Sequence, residues 1–160
     1  MMNPDNLIVD DRERGLFRYH RSLMTSPRIL EQEREKIFGK CWLYLGHESE
    51  LPNAGDYQHR SVAGRSLIFI RGNDGQIRAF FNTCTHRGAT ICRQDRGNEK
   101  LLQCPYHAWS FDNQGNLVGI PGREAYSGHF DPGELALRQP AQVDNYRGLY
   151  FETFARKDPY

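Results

Sequence analysis

Residues 84–111 carry two short motifs, CTHRG at 84–88 and CPYHAWSF at 104–111, with seventeen residues between His86 and Cys104. Each motif supplies one cysteine and one histidine in the same order. Together they offer two thiolates and two imidazoles, a donor set that suits a soft metal. We therefore expect two loops that present these four side chains to one centre.

This spacing resembles the Rieske iron–sulfur motif, C-x-H-x(15–17)-C-x2-H. The resemblance implies a [2Fe-2S] cluster in which two thiolates bind one iron and two imidazoles bind the other. The predicted ligands, each loop giving one of each kind, are Cys84, His86, Cys104 and His107. Gly88 and Pro105 suit the tight loop backbones that would approach the cluster.

A structural zinc site is the remote alternative, because two cysteines and two histidines can also bind zinc tetrahedrally. Zinc-finger spacing pairs cysteine with cysteine and histidine with histidine, whereas each motif here mixes them. The remaining cysteines and histidines are predicted to be structural or surface residues. Cys41 and Cys92 are expected as structural thiols, Cys41 in the core with the aromatic residues Trp42 and Tyr44, and the other histidines are His20, His47, His59 and His129.

The loops lack the features of high-potential Rieske proteins. Those proteins join their two loops by a disulfide, and the corresponding positions here are Ala89 and Tyr106. Trp109 and Phe111 occupy the positions of the hydroxyl donors that raise the potential. With fewer hydrogen bonds to the sulfurs, the reduced cluster is less stabilised, and we predict a potential of roughly −150 mV.

The flanking sequence is similar to that of one class of Rieske protein over about 11–154. EREKIFGKCWLYLGHESELPNAGDY at 33–57 and CPYHAWSFDNQGNLVGIPG at 104–122 resemble the large (α) subunit of bacterial aromatic-ring-hydroxylating dioxygenases. A stand-alone low-potential Rieske ferredoxin is the alternative, although such ferredoxins are shorter and usually follow the second loop with small residues.

The resemblance implies a multi-component NAD(P)H-dependent oxidoreductase. Electrons would pass from a ferredoxin, a reductase or both to the cluster, and then to a mononuclear Fe(II) that dihydroxylates an aromatic substrate with O2. In this family His86 or His107 would contact the catalytic domain of a neighbouring α subunit, and the assembly can include a β subunit. No D-x2-H-x4-H iron motif occurs in these 160 residues. We therefore expect the catalytic iron domain to lie outside this chain, which leaves an electron relay.

The predicted fold is mainly β: a Rieske-type domain of antiparallel sheets with two cluster-binding loops at 41–160, after an N-terminal arm and helix at 1–40. Ser26 and Pro27 mark the start of a helix over 27–38, which Gly39 ends. A short strand is expected at 16–19. Aromatic and β-branched runs predict the further strands 41–45, 57–62, 66–71, 77–81, 100–103, 109–112, 117–120, 143–146 and 149–154.

Composition narrows the function class. A net charge of +1 with both signs interspersed gives no electrostatic footprint for nucleic acid. Acidic residues in MMNPDNLIVDDRER and apolar runs far shorter than roughly 20 residues argue against a signal peptide and a membrane span. Four cysteines are too few for a secreted disulfide scaffold, so we expect a cytoplasmic protein.

Overall fold

A computed structural model describes residues 7–156 of the chain. The chain divides into two compact units, Met1–Phe38 and Gly39–Tyr160, which we describe separately. The predicted boundary at residue 40 stays a prediction. No helix within residues 7–156 is long and apolar enough to cross a bilayer.

The first unit opens with an antiparallel hairpin of β1, Ile8–Asp11, and β2, Leu16–Tyr19. The predicted strand at 16–19 is confirmed. Its partner β1 was not predicted, because the run LIV is short and is followed by two aspartates.

The helical part of this unit consists of α1, Ser22–Thr25, α2, Pro27–Glu33, and a π-helical turn, Arg34–Phe38. The predicted start at Pro27 is confirmed, but the regular α-helix ends at Glu33, five residues before the predicted end. The Ser26 backbone carbonyl, instead of its side chain, accepts hydrogen bonds from the Ile29 and Leu30 N–H groups. Every residue of these helices keeps some exposure, including Leu30 at 43%.

Over the described residues 39–156, the second unit contains ten strands in three antiparallel sheets, which confirms the predicted mainly antiparallel β architecture. The strand order in the sheets is β6-β5-β4-β7, β11-β12-β3 and β10-β9-β8. The strands are β3 Leu43–His47, β4 Asp56–Val62, β5 Arg65–Arg71, β6 Ile77–Phe81, β7 Arg96–Asn98, β8 Leu101–Gln103, β9 Ser110–Asp112, β10 Leu117–Gly119, β11 Gln142–Tyr146 and β12 Leu149–Thr153.

The nine strands predicted for this unit are all present, with ends that shift by at most two residues. β7 was missed. All three of its residues, RGN, are exposed, so it carries no apolar signal and is held by backbone pairing with β4.

The four-stranded sheet is the central layer, since β5 is buried on both faces. Ile68 and Ile70 face the core cluster that contains both loop cysteines and the β8–β10 sheet residues. Leu67 and Phe69 face the second cluster, with Leu45 of β3. Successive side chains along a strand point to opposite faces of the sheet, so the one apolar run of β5 contributes residues to both clusters.

The predicted burial of Cys41, Trp42 and Tyr44 is wrong. Cys41 is exposed, and Trp42 and Tyr44 keep 49% and 54% of their surface exposed. β3 begins at Leu43, two residues later than predicted, and its alternation directs Leu45 inward and Tyr44 outward. The Tyr44 ring meets Phe151 edge-on, with centroids 5.9 Å apart.

Candidate metal centre

The first loop, Cys84–Ala89, is a tight turn closed by two backbone hydrogen bonds. The Cys84 N–H donates to the Ala89 carbonyl at 2.8 Å, and the Gly88 N–H donates to the Cys84 carbonyl at 2.9 Å. Gly88 has φ +77°, a left-handed conformation that glycine adopts at little cost. The loop begins three residues after the end of β6, so the end of the central sheet positions Cys84.

The second loop, Cys104–Trp109, repeats the same turn between β8 and β9. The Cys104 N–H donates to the Trp109 carbonyl at 2.8 Å, and the Ala108 N–H donates to the Cys104 carbonyl at 3.0 Å. Ala108 takes the left-handed position with φ +56°, where an L side chain crowds the backbone. Pairing of Gln103 with Ser110 closes the hairpin beneath the loop.

The structure brings the four predicted ligands together in two pairs. Cys84 and Cys104 are each 2% exposed, are free thiols, and belong to the same buried core cluster. His86 and His107 are half-buried, with ring centroids 4.9 Å apart. Within residues 7–156 no three histidine, cysteine or carboxylate side chains converge on one point. An inner thiol pair and an outer imidazole pair fit a [2Fe-2S] centre, in which each iron takes one pair.

The inner pair is apolar in its surroundings. Burial raises the pKa of the Cys84 thiol, and the neighbouring Cys104 thiol adds to this, while the backbone N–H groups of His86 and Arg87 oppose it. A buried thiol of this kind becomes a thiolate when it coordinates a metal. With a cluster bound, the same N–H groups would be available to donate hydrogen bonds to its sulfur, and such bonds tune a centre of this kind.

The outer pair packs on aromatic rings. His86 stacks on Trp109 at 4.3 Å with an interplanar angle of 11°, and His107 stacks on Tyr106 at 3.8 Å. Trp109 is 3% exposed, whereas Tyr106 is 58% exposed. The pKa of His86 is lowered by burial and then by the adjacent His107 and Arg87. Neutral imidazole is the form that binds a metal.

The missing hydroxyl donors are reflected in the geometry. Trp109 and Phe111 are buried apolar side chains, and the Ser110 hydroxyl between them donates to the Ala108 carbonyl at 3.1 Å. Arg87 is exposed and lies over the Tyr106 ring at 5.6 Å, and it forms no ion pair with any residue in 7–156.

Two polar residues that support the first loop were missed by sequence reasoning. The Thr85 hydroxyl donates to the Leu135 carbonyl at 2.6 Å, which ties the loop to the 3-10 turn Pro132–Leu135. Asn82, two residues before Cys84, is 2% exposed and bonds to the backbone beyond the loop. The only signal in the sequence was an asparagine at the end of the apolar run AFFN.

The other cysteines and histidines were predicted not to be ligands, although Cys92 shares the core cluster of Cys84 and Cys104. Cys92, predicted to be a structural thiol, is buried, and burial raises its pKa to about 12. His20, His47 and His59 each bond to a serine hydroxyl at 2.8 Å, and His129 is exposed, which confirms their predicted surface or hydrogen-bonded character.

Residues 41–146 match the family described as the Rieske [2Fe-2S] domain. The anthranilate 1,2-dioxygenase large subunit of Burkholderia cepacia is 42% identical over 140 residues, which cover 83% of this chain and 33% of that protein. The toluate 1,2-dioxygenase subunit alpha of Pseudomonas putida is 40% identical over 151 residues, which cover 92% of this chain and 33% of that protein.

Solved structures agree with these relatives. Naphthalene 1,2-dioxygenase from Rhodococcus sp., bound to indole, matches 84% of this chain and 31% of its own with a TM-score of 0.79 and 38% identity. A quaternary ammonium Rieske monooxygenase, whose structure bears on inter-subunit electron transfer, matches with a TM-score of 0.75 and 34% identity over 85% of this chain and 37% of its own. The chain thus spans about a third of the length of its relatives. The matched loops and the similarity over most of the sequence lead to one conclusion: this chain belongs to the Rieske [2Fe-2S] domain family, in the form found in the large subunits of aromatic dioxygenases.

Proposed function

We propose that this chain is the electron-transfer part of an aromatic-ring-hydroxylating dioxygenase α subunit, with its [2Fe-2S] cluster held by Cys84, His86, Cys104 and His107. The observation that supports it is the pair of matched loops, which hold two thiols inside and two imidazoles at a half-buried rim. A cluster with this ligand set takes up and releases one electron at a time.

The two thiols and the two imidazoles of the site differ in their exposure to solvent and to partners. The inner thiols lie in the main core cluster, where Trp109 and Phe111 exclude water. The imidazoles are the more accessible ligands, and each has a second ring nitrogen that can donate a hydrogen bond to a partner. Electron entry and exit are therefore expected at the rim formed by His86, His107 and Tyr106.

The potential is expected at the low end of the Rieske range, roughly −150 mV. The support is the occupied Ser110 hydroxyl and the apolar side chains at positions 109 and 111. A redox titration that gives a clearly positive midpoint would contradict this proposal.

The relatives are about three times as long as this chain, so the proposed function needs a catalytic domain outside the matched part. The other partners are those that the resemblance implies. Electrons would arrive from a ferredoxin or a reductase and leave for a mononuclear Fe(II) in the catalytic domain of a neighbouring α subunit, with a β subunit as a further component. Residues 41–160 would form the Rieske domain, and 1–40 the arm and helix that precede it. A cytoplasmic location fits the four free cysteines.

The ligand set is tested by metal analysis and by EPR of the reduced protein. We expect two irons and two acid-labile sulfides per chain and a rhombic Rieske spectrum. His107→Ala should lose the cluster's absorbance and EPR signal, because one iron would keep only one protein ligand. His129→Ala removes an exposed histidine and serves as the control, with both signals retained. A His107→Ala protein with an unchanged cluster would refute the assignment.

The comparisons favour this function over a stand-alone ferredoxin and over a zinc module, since the relatives are dioxygenase large subunits. The sequence of the complete gene distinguishes the dioxygenase subunit from the stand-alone ferredoxin. A D-x2-H-x4-H motif downstream in the same reading frame is expected for the oxygenase, and a stop codon just after residue 160 would favour the ferredoxin.

A further inference from the structure

The two loops share a turn but differ in what closes the chain beneath it. The second loop has β8 and β9, whose ladder runs from Gln103↔Ser110 to Leu101↔Asp112. The first loop leaves β6 at Phe81, and the chain that returns from it, residues 90–95, is irregular. β6 pairs with β5 on one side only, and at its end the Phe81 N–H donates to the Arg138 carbonyl at 2.8 Å, not to the returning chain. Beneath the turn, the chain that enters the first loop and the chain that leaves it therefore need another connection.

Asn82 supplies the missing connection. Its side-chain Oδ1 accepts hydrogen bonds from the Cys92 N–H at 2.8 Å and the Ile91 N–H at 3.1 Å, and its Nδ2 donates to the Cys92 carbonyl at 2.8 Å. At its own backbone, the Asn82 N–H donates to the Ser66 carbonyl of β5 at 2.9 Å. One residue thus links the central sheet to both ends of the loop.

We propose that Asn82 is a positioning residue for the first cluster-binding loop: its buried side-chain amide does for this loop what the β8–β9 ladder does for the second. This inference rests on the proposed function, since it assigns Asn82 a role toward Cys84 and His86 as ligands. Asn82 acts through the backbone and is not itself a ligand.

The chemistry of the side chain explains why an amide stands here. A primary amide carries an acceptor oxygen and a donor N–H₂ in one plane, as a peptide group does, so it can pair with the N–H and the carbonyl of one residue. Asp could accept from the same N–H groups but could not donate to the Cys92 carbonyl when ionised. Leu would leave two N–H groups and a carbonyl buried without partners, which is costly.

The test compares Asn82→Asp with the wild type, both as residues 1–160 with the cluster bound. Three quantities are measured: hydrogen exchange of the Ile91 and Cys92 amides, the rate of iron release to a chelator, and the g-values of the reduced cluster. We expect exchange and iron release to rise about tenfold, the factor that corresponds to one lost buried hydrogen bond. We also expect the g-values to shift, because the turn that carries two of the ligands loses its fixed position.

Asn113→Asp is the matched control. Asn113 is also a buried asparagine, at 1% exposure, and its Oδ1 accepts from the Asn73 backbone N–H at 3.1 Å, away from the loops. This variant should lose stability without a change in the g-values or in exchange at residues 91 and 92. If Asn82→Asp does not fold, Asn82→Ser removes the amide while keeping a small polar group, and the same measurements apply.

The outcomes separate the two levels of the proposal. A wild-type protein that binds no iron–sulfur cluster defeats the proposed function. The exchange measurement still reports on the hydrogen bonds between the Asn82 side chain and residues 91 and 92. A normal wild-type cluster with unchanged g-values and iron release in both Asn82 variants overturns the positioning role. Equal shifts in the Asn82 and Asn113 variants would also overturn it, since a general loss of stability would then account for them.

Discussion

In the first loop the cysteine N–H bonds to the carbonyl five residues on, and the cysteine carbonyl accepts from the N–H four residues on; the second loop has the same two bonds. The histidine differs, two residues after Cys84 in one loop and three residues after Cys104 in the other. The turn is therefore built on the cysteine backbone and on the left-handed residue, Gly88 or Ala108. One turn can present its histidine from either of two positions.

One of the two histidines packs on a ring of the other loop, and the second packs within its own loop. His86 of the first loop stacks on Trp109 of the second, whereas His107 stacks on Tyr106 of its own loop. Trp109 is buried with the core and contacts Phe130 edge-on at 6.4 Å, while Tyr106 is largely exposed. The two imidazoles thus have unequal surroundings, one fixed by the core and one near solvent.

The largest expected effect on stability comes from removing Trp109, the buried ring on which His86 stacks. Trp109→Ala should destabilise the fold by about 3–5 kcal/mol, because it leaves a cavity beneath the first histidine. Tyr106→Ala should cost less than about 1 kcal/mol, since most of that ring is already exposed. Urea unfolding of both variants measures the difference, and equal losses would show that the two rings support their histidines alike.

The next effect concerns a buried polar group that, unlike Asn82, has no partner. Both carboxylate oxygens of Glu152 on β12 are buried without a hydrogen bond to any described residue, and burial raises the pKa of Glu152 to about 7, with Arg65 opposing. The folded state therefore favours the protonated acid. The free energy of unfolding is therefore highest below the unfolded-state pKa of Glu152, 4.5, and falls as the pH rises through its folded-state pKa.

Glu152→Gln should remove this penalty, so the variant is expected to exceed the wild type by about 2–3 kcal/mol at pH 8 and by little at pH 4.5. The measurement is the free energy of unfolding at both pH values. Glu134→Gln, at an exposed carboxylate, is the control and should lie within about 0.5 kcal/mol of the wild type. A constant difference across the pH range would contradict the assignment.

A smaller effect tests the tie that only the first loop has. Thr85 bonds to the Leu135 carbonyl, whereas the equivalent position of the second loop is Pro105, which has no donor. Thr85→Val should cost about 1 kcal/mol, the net value of one hydrogen bond. Thr90→Val, at an exposed threonine, should lie within about 0.5 kcal/mol of the wild type.

The smallest effect compares the two left-handed positions. A Cβ at Gly88 would meet no atom within 4 Å, so Gly88→Ala tests the backbone alone and should cost about 0.5–1 kcal/mol. Ala108→Gly should give a similar gain, because relief of the left-handed alanine exceeds the added entropy of the unfolded chain. Chemical denaturation of both variants checks the opposite signs, and a loss in Ala108→Gly would mean that its methyl group is needed in the second loop.

The sequence allowed much of the second unit to be predicted, because its strands carry strong local signals. Runs such as SLIFI at 66–70 fix a buried strand, and GNDG at 72–75 and NQGN at 113–116 mark the turns that follow β5 and β9. β1 and β7 lacked that signal: their residues are exposed or polar, and only a partner strand makes them strands. The exposure of Cys41 depended on where β3 begins, which local pattern does not fix to one residue.

By itself the sequence determined the two motifs, their mixed ligand order and the apolar residues that replace hydroxyl donors, since these are properties of residue type and spacing. Only the tertiary structure decided that the cysteines face inward as one pair and the histidines lie at the rim as another. It alone gave His86 a ring from the opposite loop and gave Asn82 a partner ten residues away. Such contacts join distant parts of the chain, and their geometry follows from the packing of the central sheet against the β8–β10 sheet.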